Sequence, residues 1–138
     1  MALTLDHVSI RVNGTPLIQP FSLAIADGEI VTLMGPSGSG KSSLLSFVSG
    51  DLEAPFAGAG KVILNGRSVE GLPPENRSIG RLFQDDLLFP HLTVGENLLF
   101  GIPRDDRPGR LALMREGLRN IELEDFEHRP PHTLSGGQ

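Results

Sequence analysis

Thirteen residues, Ile30-Val31-Thr32-Leu33-Met34-Gly35-Pro36-Ser37-Gly38-Ser39-Gly40-Lys41-Ser42, restrict the fold more than any other stretch. The first five are apolar apart from Thr32 and β-branched at three positions. They predict a strand covered on both faces, as in a parallel sheet. Leu44, Leu45 and Val48 then fall at helical spacing, and Gly50 is placed to stop that helix. A buried strand, a glycine-rich turn and a helix in that order predict an anion cradle at the helix N-terminus.

Gly35 to Ser42 fits G-x-x-x-x-G-K-[ST] without a mismatch. Glycines allow the tight turn and let a phosphate reach the backbone, so that successive N–H groups converge on the anion. Lys41 brings an ammonium to the outer phosphates, the Ser42 hydroxyl can ligate Mg²⁺, and Ser43 keeps a second hydroxyl near the phosphates. A chance match at average residue usage is about 0.5% for a chain of this length. The nucleotide-binding set is therefore Gly35, Pro36, Ser37, Gly38, Ser39, Gly40, Lys41, Ser42 and Ser43. The loop alone does not separate kinases, GTPases and transport ATPases.

Net charge is −5, which argues against a general nucleic-acid binder. The absence of cysteine excludes disulfides and Cys-based zinc sites. The N-terminus lacks the pattern of a secretory signal, and no apolar stretch is long enough to span a bilayer. Work at a membrane would need a partner. His7, His91, His128 and His132 show no metal-ligand spacing and are expected on surfaces or loops.

Elsewhere the pattern predicts a first strand through Leu3, Leu5, Ile10 and Val12, with Val8 out of step. An Asn13-Gly14 turn comes next, then a second strand through Phe21, Leu23 and Ile25. Lys61 to Leu64 and Ile79 to Phe83 read as further strands, with an Asn65-Gly66 turn between them. Thr93-Val94-Gly95-Glu96 has the form of a capping box. Residues 103–108 read as a polar linker, and Leu111, Met114, Leu118 and Ile121 share one helical face. Strands around one helix give way to helices near residue 85.

Leu134-Ser135-Gly136-Gly137-Gln138 decides the class. This pentapeptide resembles the signature of the ATP-binding cassette (ABC) proteins, and Phe83-Gln84 resembles their Q-loop. "LDHVSIRV", "FSLAIADGEIVTLMGPSGSGKSSLL", "RLFQDDLLFPHLTVGENLLFG" and "RPPHTLSGGQ" carry the resemblance over nearly the whole chain, most closely to bacterial importer subunits of the thiamine, iron and polyamine kind. The resemblance implies an α/β fold: a P-loop NTPase core with an antiparallel β ribbon (1–85), then the Q-loop segment and the start of a helical subdomain (86–138). Together these make an incomplete ABC nucleotide-binding domain.

The resemblance also implies ATP and Mg²⁺ as ligands. Gln84 would contact Mg²⁺ and the attacking water, and Lys41 would serve catalysis. Ser135, Gly136, Gly137 and Gln138 would cap the γ-phosphate held by a second ABC subunit, in a homodimer or a mixed pair. The segment Leu87 to Leu92 would face a membrane permease, although its residues read equally well as internal core. Val12 occupies the position at which the family often stacks adenine on an aromatic ring, so selectivity between ATP and GTP stays open. The implied activity is ATP hydrolysis driving import from the cytoplasmic face of the inner membrane, to which the protein would be peripheral. The alternatives are a soluble ABC-type ATPase without a permease and a non-catalytic nucleotide-binding fragment. No apolar run ending in Asp-Glu follows Gln84. The chain is accordingly expected to be an N-terminal portion of a longer protein, inactive in hydrolysis by itself.

Overall fold

The computed structural model describes residues 2–83, 87–103 and 107–135, apart from the side chains of 107 and 108. Two compact units, Met1–Leu82 and Phe83–Gln138, divide the chain.

In the first unit Asn13 and Gly14 take φ values of 48° and 80°, the positive pair that a tight hairpin turn requires. They join β1 (Leu3–Val12) to β2 (Thr15–Ile25), a longer second strand than the alternation of Phe21, Leu23 and Ile25 predicts. β3 (Phe56–Leu64) pairs with the other edge of β1, and Asn65-Gly66 turns it into the short β4 (Arg67–Ser68). The strand order is β2-β1-β3-β4, antiparallel throughout.

A bulge explains why Val8 falls out of step. Between the Asp6–Lys61 and Ser9–Ala59 pairs, His7 and Val8 oppose the single residue Gly60. His7 takes φ 50° and its N–H donates to Ser22 Oγ at 3.0 Å. The extra residue turns Val8 and Ile10 onto the face that Leu5 already buries, and all three are core residues. Gly60 is required there, because a Cβ would lie 2.5 Å from the His7 carbonyl oxygen.

The helix predicted after the glycine-rich turn forms as α1 (Lys41–Ser49) and ends at Gly50, whose φ is 92°. It crosses the sheet face in a way the register defines. A Cβ at Gly40 would touch Ile18, and a Cβ at Gly58 would overlap the Phe47 ring. Ile18, Ile10 and Gly58 form one cross-strand row. Seven helical residues rise about 10 Å, which matches two strand spacings. Helix α1 therefore lies along that row, roughly perpendicular to the strands. Leu44 and Val48 pack with Leu5, Val8, Val62, Leu64 and Val69 into one core.

Two expected strands do not form. Ile30 to Met34 has no ladder partner among the described residues, with Ile30 92% and Met34 85% exposed. Ile79 to Phe83 likewise joins no sheet, and Leu82 is 98% exposed. A strand satisfies its backbone only through a paired neighbour, and among the described residues neither segment joins the β2-β1-β3-β4 ladder, although Ile79 packs against its core.

In the second unit the Thr93 capping box is complete. The Glu96 N–H donates to Thr93 Oγ1 at 3.2 Å, and the Thr93 N–H donates to Glu96 Oε2 at 2.7 Å. It opens α2 (Val94–Gly101). α3 (Arg107–Asn120) begins inside the stretch expected as a linker, so Pro108 falls in a first helical turn, where proline is tolerated. Met114 and Leu118 are buried with Val94 and Leu123, but Leu111 and Ile121 are exposed. The predicted apolar face is thus covered only in its middle. α2 spans about 12 Å against about 21 Å for α3, too little to cover it all. Among the described residues no helix is long and apolar enough to cross a membrane.

Candidate functional site

The phosphate loop is held from both its lysine and its helix. Lys41 Nζ donates to the carbonyl oxygens of Gly35 (2.8 Å) and Pro36 (2.7 Å), while Ser39 Oγ lies 3.5 Å away. An ammonium carries three donors: two close the loop in short bonds, and the third makes a long bond to Ser39 Oγ that an incoming anion could replace. The Ser39 N–H donates to the Pro36 carbonyl, which tightens the turn.

The far end of the loop meets α1 at Gly40, which is buried, has φ 90° and offers no side-chain cap. The first turn of α1 carries no acidic residue. Its free N–H groups and positive dipole end are thus left to an external anion. Gly35 to Gly38 are exposed, and a Cβ at Gly38 would meet nothing within 4 Å. Ser42 is exposed and Ser43 half-buried on that same first turn. Loop, ammonium and hydroxyls fit a triphosphate with its cation.

The C-terminal end of α1 has an anchor that sequence reasoning missed. Arg77 donates through Nε to the Leu72 carbonyl at 2.9 Å and through Nη1 to the Phe47 and Val48 carbonyls, each at 3.0 Å. A cation there also opposes the negative end of the helix dipole. The guanidinium packs on Gly50, where a Cβ would lie 2.4 Å from Nε. Arg81 adds bonds to Ser46 Oγ (2.7 Å) and Asp51 Oδ2 (2.6 Å). About thirty residues separate these partners, so no local spacing could reveal them.

Val12 lies half-buried at the end of β1, opposite Thr15 on one side and Phe56 on the other. Gln84, Gly136, Gly137 and Gln138 lie outside the described residues. Ser135 is exposed after a turn of 3₁₀ helix, Pro131–Thr133, while Leu134 packs against the second core.

Leu87 (66% exposed), Leu88 and Phe89 form an apolar surface rather than core. Asn97 of α2 supports it: Oδ1 accepts from the Phe89 N–H at 2.8 Å, and Nδ2 donates to the Phe89 and Thr93 carbonyls at 3.1 and 2.9 Å. Phe89 also meets Phe100 edge to face at 4.7 Å. The four histidines are exposed, and no metal-binding cluster occurs among the described residues.

Residues 18–138 match the profile of the ABC transporter family. The chain belongs to that family. Three relatives show how far the similarity runs. The spermidine/putrescine import ATP-binding protein PotA of Hahella chejuensis is 39% identical over 99% of this chain and 37% of its own length. The protein of the same name from Oleidesulfovibrio alaskensis is 44% identical over 97% of this chain and 36% of its own. That of Salmonella typhimurium is 40% identical over 97% and 35%. The chain thus spans little more than a third of the relatives it matches.

Proposed function

We propose that this chain binds ATP with Mg²⁺ through residues 35 to 43 and that the complete protein hydrolyses ATP to drive import through a membrane permease. The observation that carries the proposal is the Lys41 ammonium bonded to the Gly35 and Pro36 carbonyls at the uncapped start of α1. In this reading the loop amides and Lys41 hold the β- and γ-phosphates in place, and Ser42 holds Mg²⁺ together with Gln84. The metal supplies charge neutralisation for phosphoryl transfer. Gln84 orients water. Ser135 to Gln138 offer a hydroxyl and N–H groups to the nucleotide of a second ABC subunit. Val12 lies beside the base.

The same proposal assigns residues 1–85 to the β ribbon and P-loop core, and 86–138 to the Q-loop segment and part of a helical subdomain. Ile30 to Met34 and Ile79 to Phe83 are then strands of a parallel core that further chain completes. Their apolar composition supports this, as does the short share of the relatives that the 138 residues cover. The exposed Leu87 to Phe89 surface supports contact of that segment with a permease. The relatives' names make spermidine and putrescine the first substrates to test. The protein would be peripheral on the cytoplasmic face of the inner membrane.

Calorimetric titration of the 138-residue chain with MgATP tests the binding step. We expect saturable binding that Lys41→Ala abolishes, with negligible steady-state hydrolysis. Equal affinity in the variant would reject the proposed site.

A further inference from the structure

We propose that Phe56 supplies the aromatic surface for the nucleotide base that Val12 does not provide; the inference rests on the nucleotide-binding reading above. Val12 pairs directly with Phe56 across the β1–β3 ladder. Directly opposed residues share a sheet face. Phe56 also lies two residues from Gly58 on β3, so both point to the same side. The Phe47 ring of α1 lies on that side at Gly58.

The row Thr15, Val12, Phe56 is therefore parallel to the row Ile18, Ile10, Gly58 that α1 covers, and one step nearer the hairpin turn. It forms a shelf beside the helix, on the helix side of the sheet. The Asn13 N–H donates to the Pro55 carbonyl at 3.1 Å, which ties the hairpin turn to the start of β3 and fixes the shelf.

Exposure singles out the ring. The chain has no Tyr or Trp. Phe21 and Phe47 pack against the core of the first unit, whereas Phe56 is 36% exposed. Gly40 sits over Ile18, and two strand spacings plus two residues along the strand put Phe56 roughly 12 Å from that point. An extended nucleoside triphosphate held at the start of α1 covers such a span. Stacking accepts any base, because every base has a π face. Phe56 should therefore strengthen ATP and GTP alike, giving affinity without base selectivity.

The test compares the parent chain with Phe56→Leu and Phe56→Tyr, titrated with MgATP, MgGTP and magnesium tripolyphosphate. Leucine keeps the apolar bulk and removes the ring. We expect Phe56→Leu to weaken both nucleotides roughly 5- to 100-fold, to leave tripolyphosphate unchanged, and Phe56→Tyr to retain parental affinity. Nucleotide affinity within twofold of the parent would overturn the inference. Equal losses for nucleotides and tripolyphosphate would also overturn it, since Phe56 would then act through the fold, as it could by lining the cleft with Phe47, Leu52 and Arg77. Absence of nucleotide and tripolyphosphate binding in the parent itself would instead reject the underlying site. Melting temperatures without ligand identify a variant that fails to fold, and Phe56→Tyr then decides alone: a loss of nucleotide affinity with normal tripolyphosphate binding would count against a stacking role.

Discussion

The two flanks of the phosphate loop could hardly differ more. After it, α1 is anchored along its length: Gly40 on Leu17 and Ile18, Leu44 and Val48 in the core, and the last carbonyls on Arg77. Before it, Ile30 to Met34 lies open to water. Both flanks are apolar and adjoin the same turn. A helix satisfies its own backbone and needs only one covered face, whereas a strand needs neighbours on its edges. Among the described residues the sheet offers Ile30 to Met34 no pairing, so the helix forms and the strand does not. The loop's geometry is thus borrowed from its helical side.

Breaking the helical flank should have the largest effect. Leu44→Ala removes a side chain only 5% exposed and should cost about 2–5 kcal/mol in a denaturant melt. Gly50→Ala comes next, because φ 92° and the guanidinium of Arg77 both oppose a methyl group. A cost of about 1–3 kcal/mol is expected, with a matching loss of hydrogen-exchange protection at the end of α1. On the other flank Ile30→Thr should change stability by less than about 0.5 kcal/mol, since its side chain meets mostly water. A cost approaching that of Leu44→Ala would show that the two flanks are equally buried in solution.

The smallest effect belongs to neither flank. In the second unit Arg115 Nε and Nη2 donate to the two Glu127 carboxylate oxygens at 3.0 and 3.1 Å. These bonds hold the Glu127 carboxyl below the usual carboxylate range. A lowered folded value means that the pair's support is complete above the unfolded value and fades as pH falls through the folded one. Acid titration followed by NMR should therefore loosen the α3–Glu127 contact while α1 keeps its protection. The change should be slight, because Arg115 is largely exposed.

The fold was most legible where one short stretch holds all the information. The Asn-Gly turns, the Thr93 capping box and the span of α1 with its Gly50 stop are local, and each forms. The buried strand at Ile30 to Met34 was a claim about neighbours, and composition cannot say whether neighbours are present. The out-of-step Val8 was visible as a flaw in alternation, yet its cause required Gly60 on another strand. In the candidate site, the lysine and the glycines could be found from spacing. Arg77, Arg81 and Asn97 could not, because each acts on backbone or side chains that only folding brings near. Phe56 was hidden for the same reason: its partnership with Val12 is a matter of register.

The bulge at His7 also decides which way the row Thr15, Val12, Phe56 faces. Strand parity is binary, and one inserted residue chooses its value. Deleting His7 would straighten β1 and rotate residues 8 to 12 by half a turn, sending Val12 to the side of the sheet away from α1. Val8 and Ile10 would leave the core in the same step, so one inserted residue sets both the packing beneath α1 and the surface beside the loop.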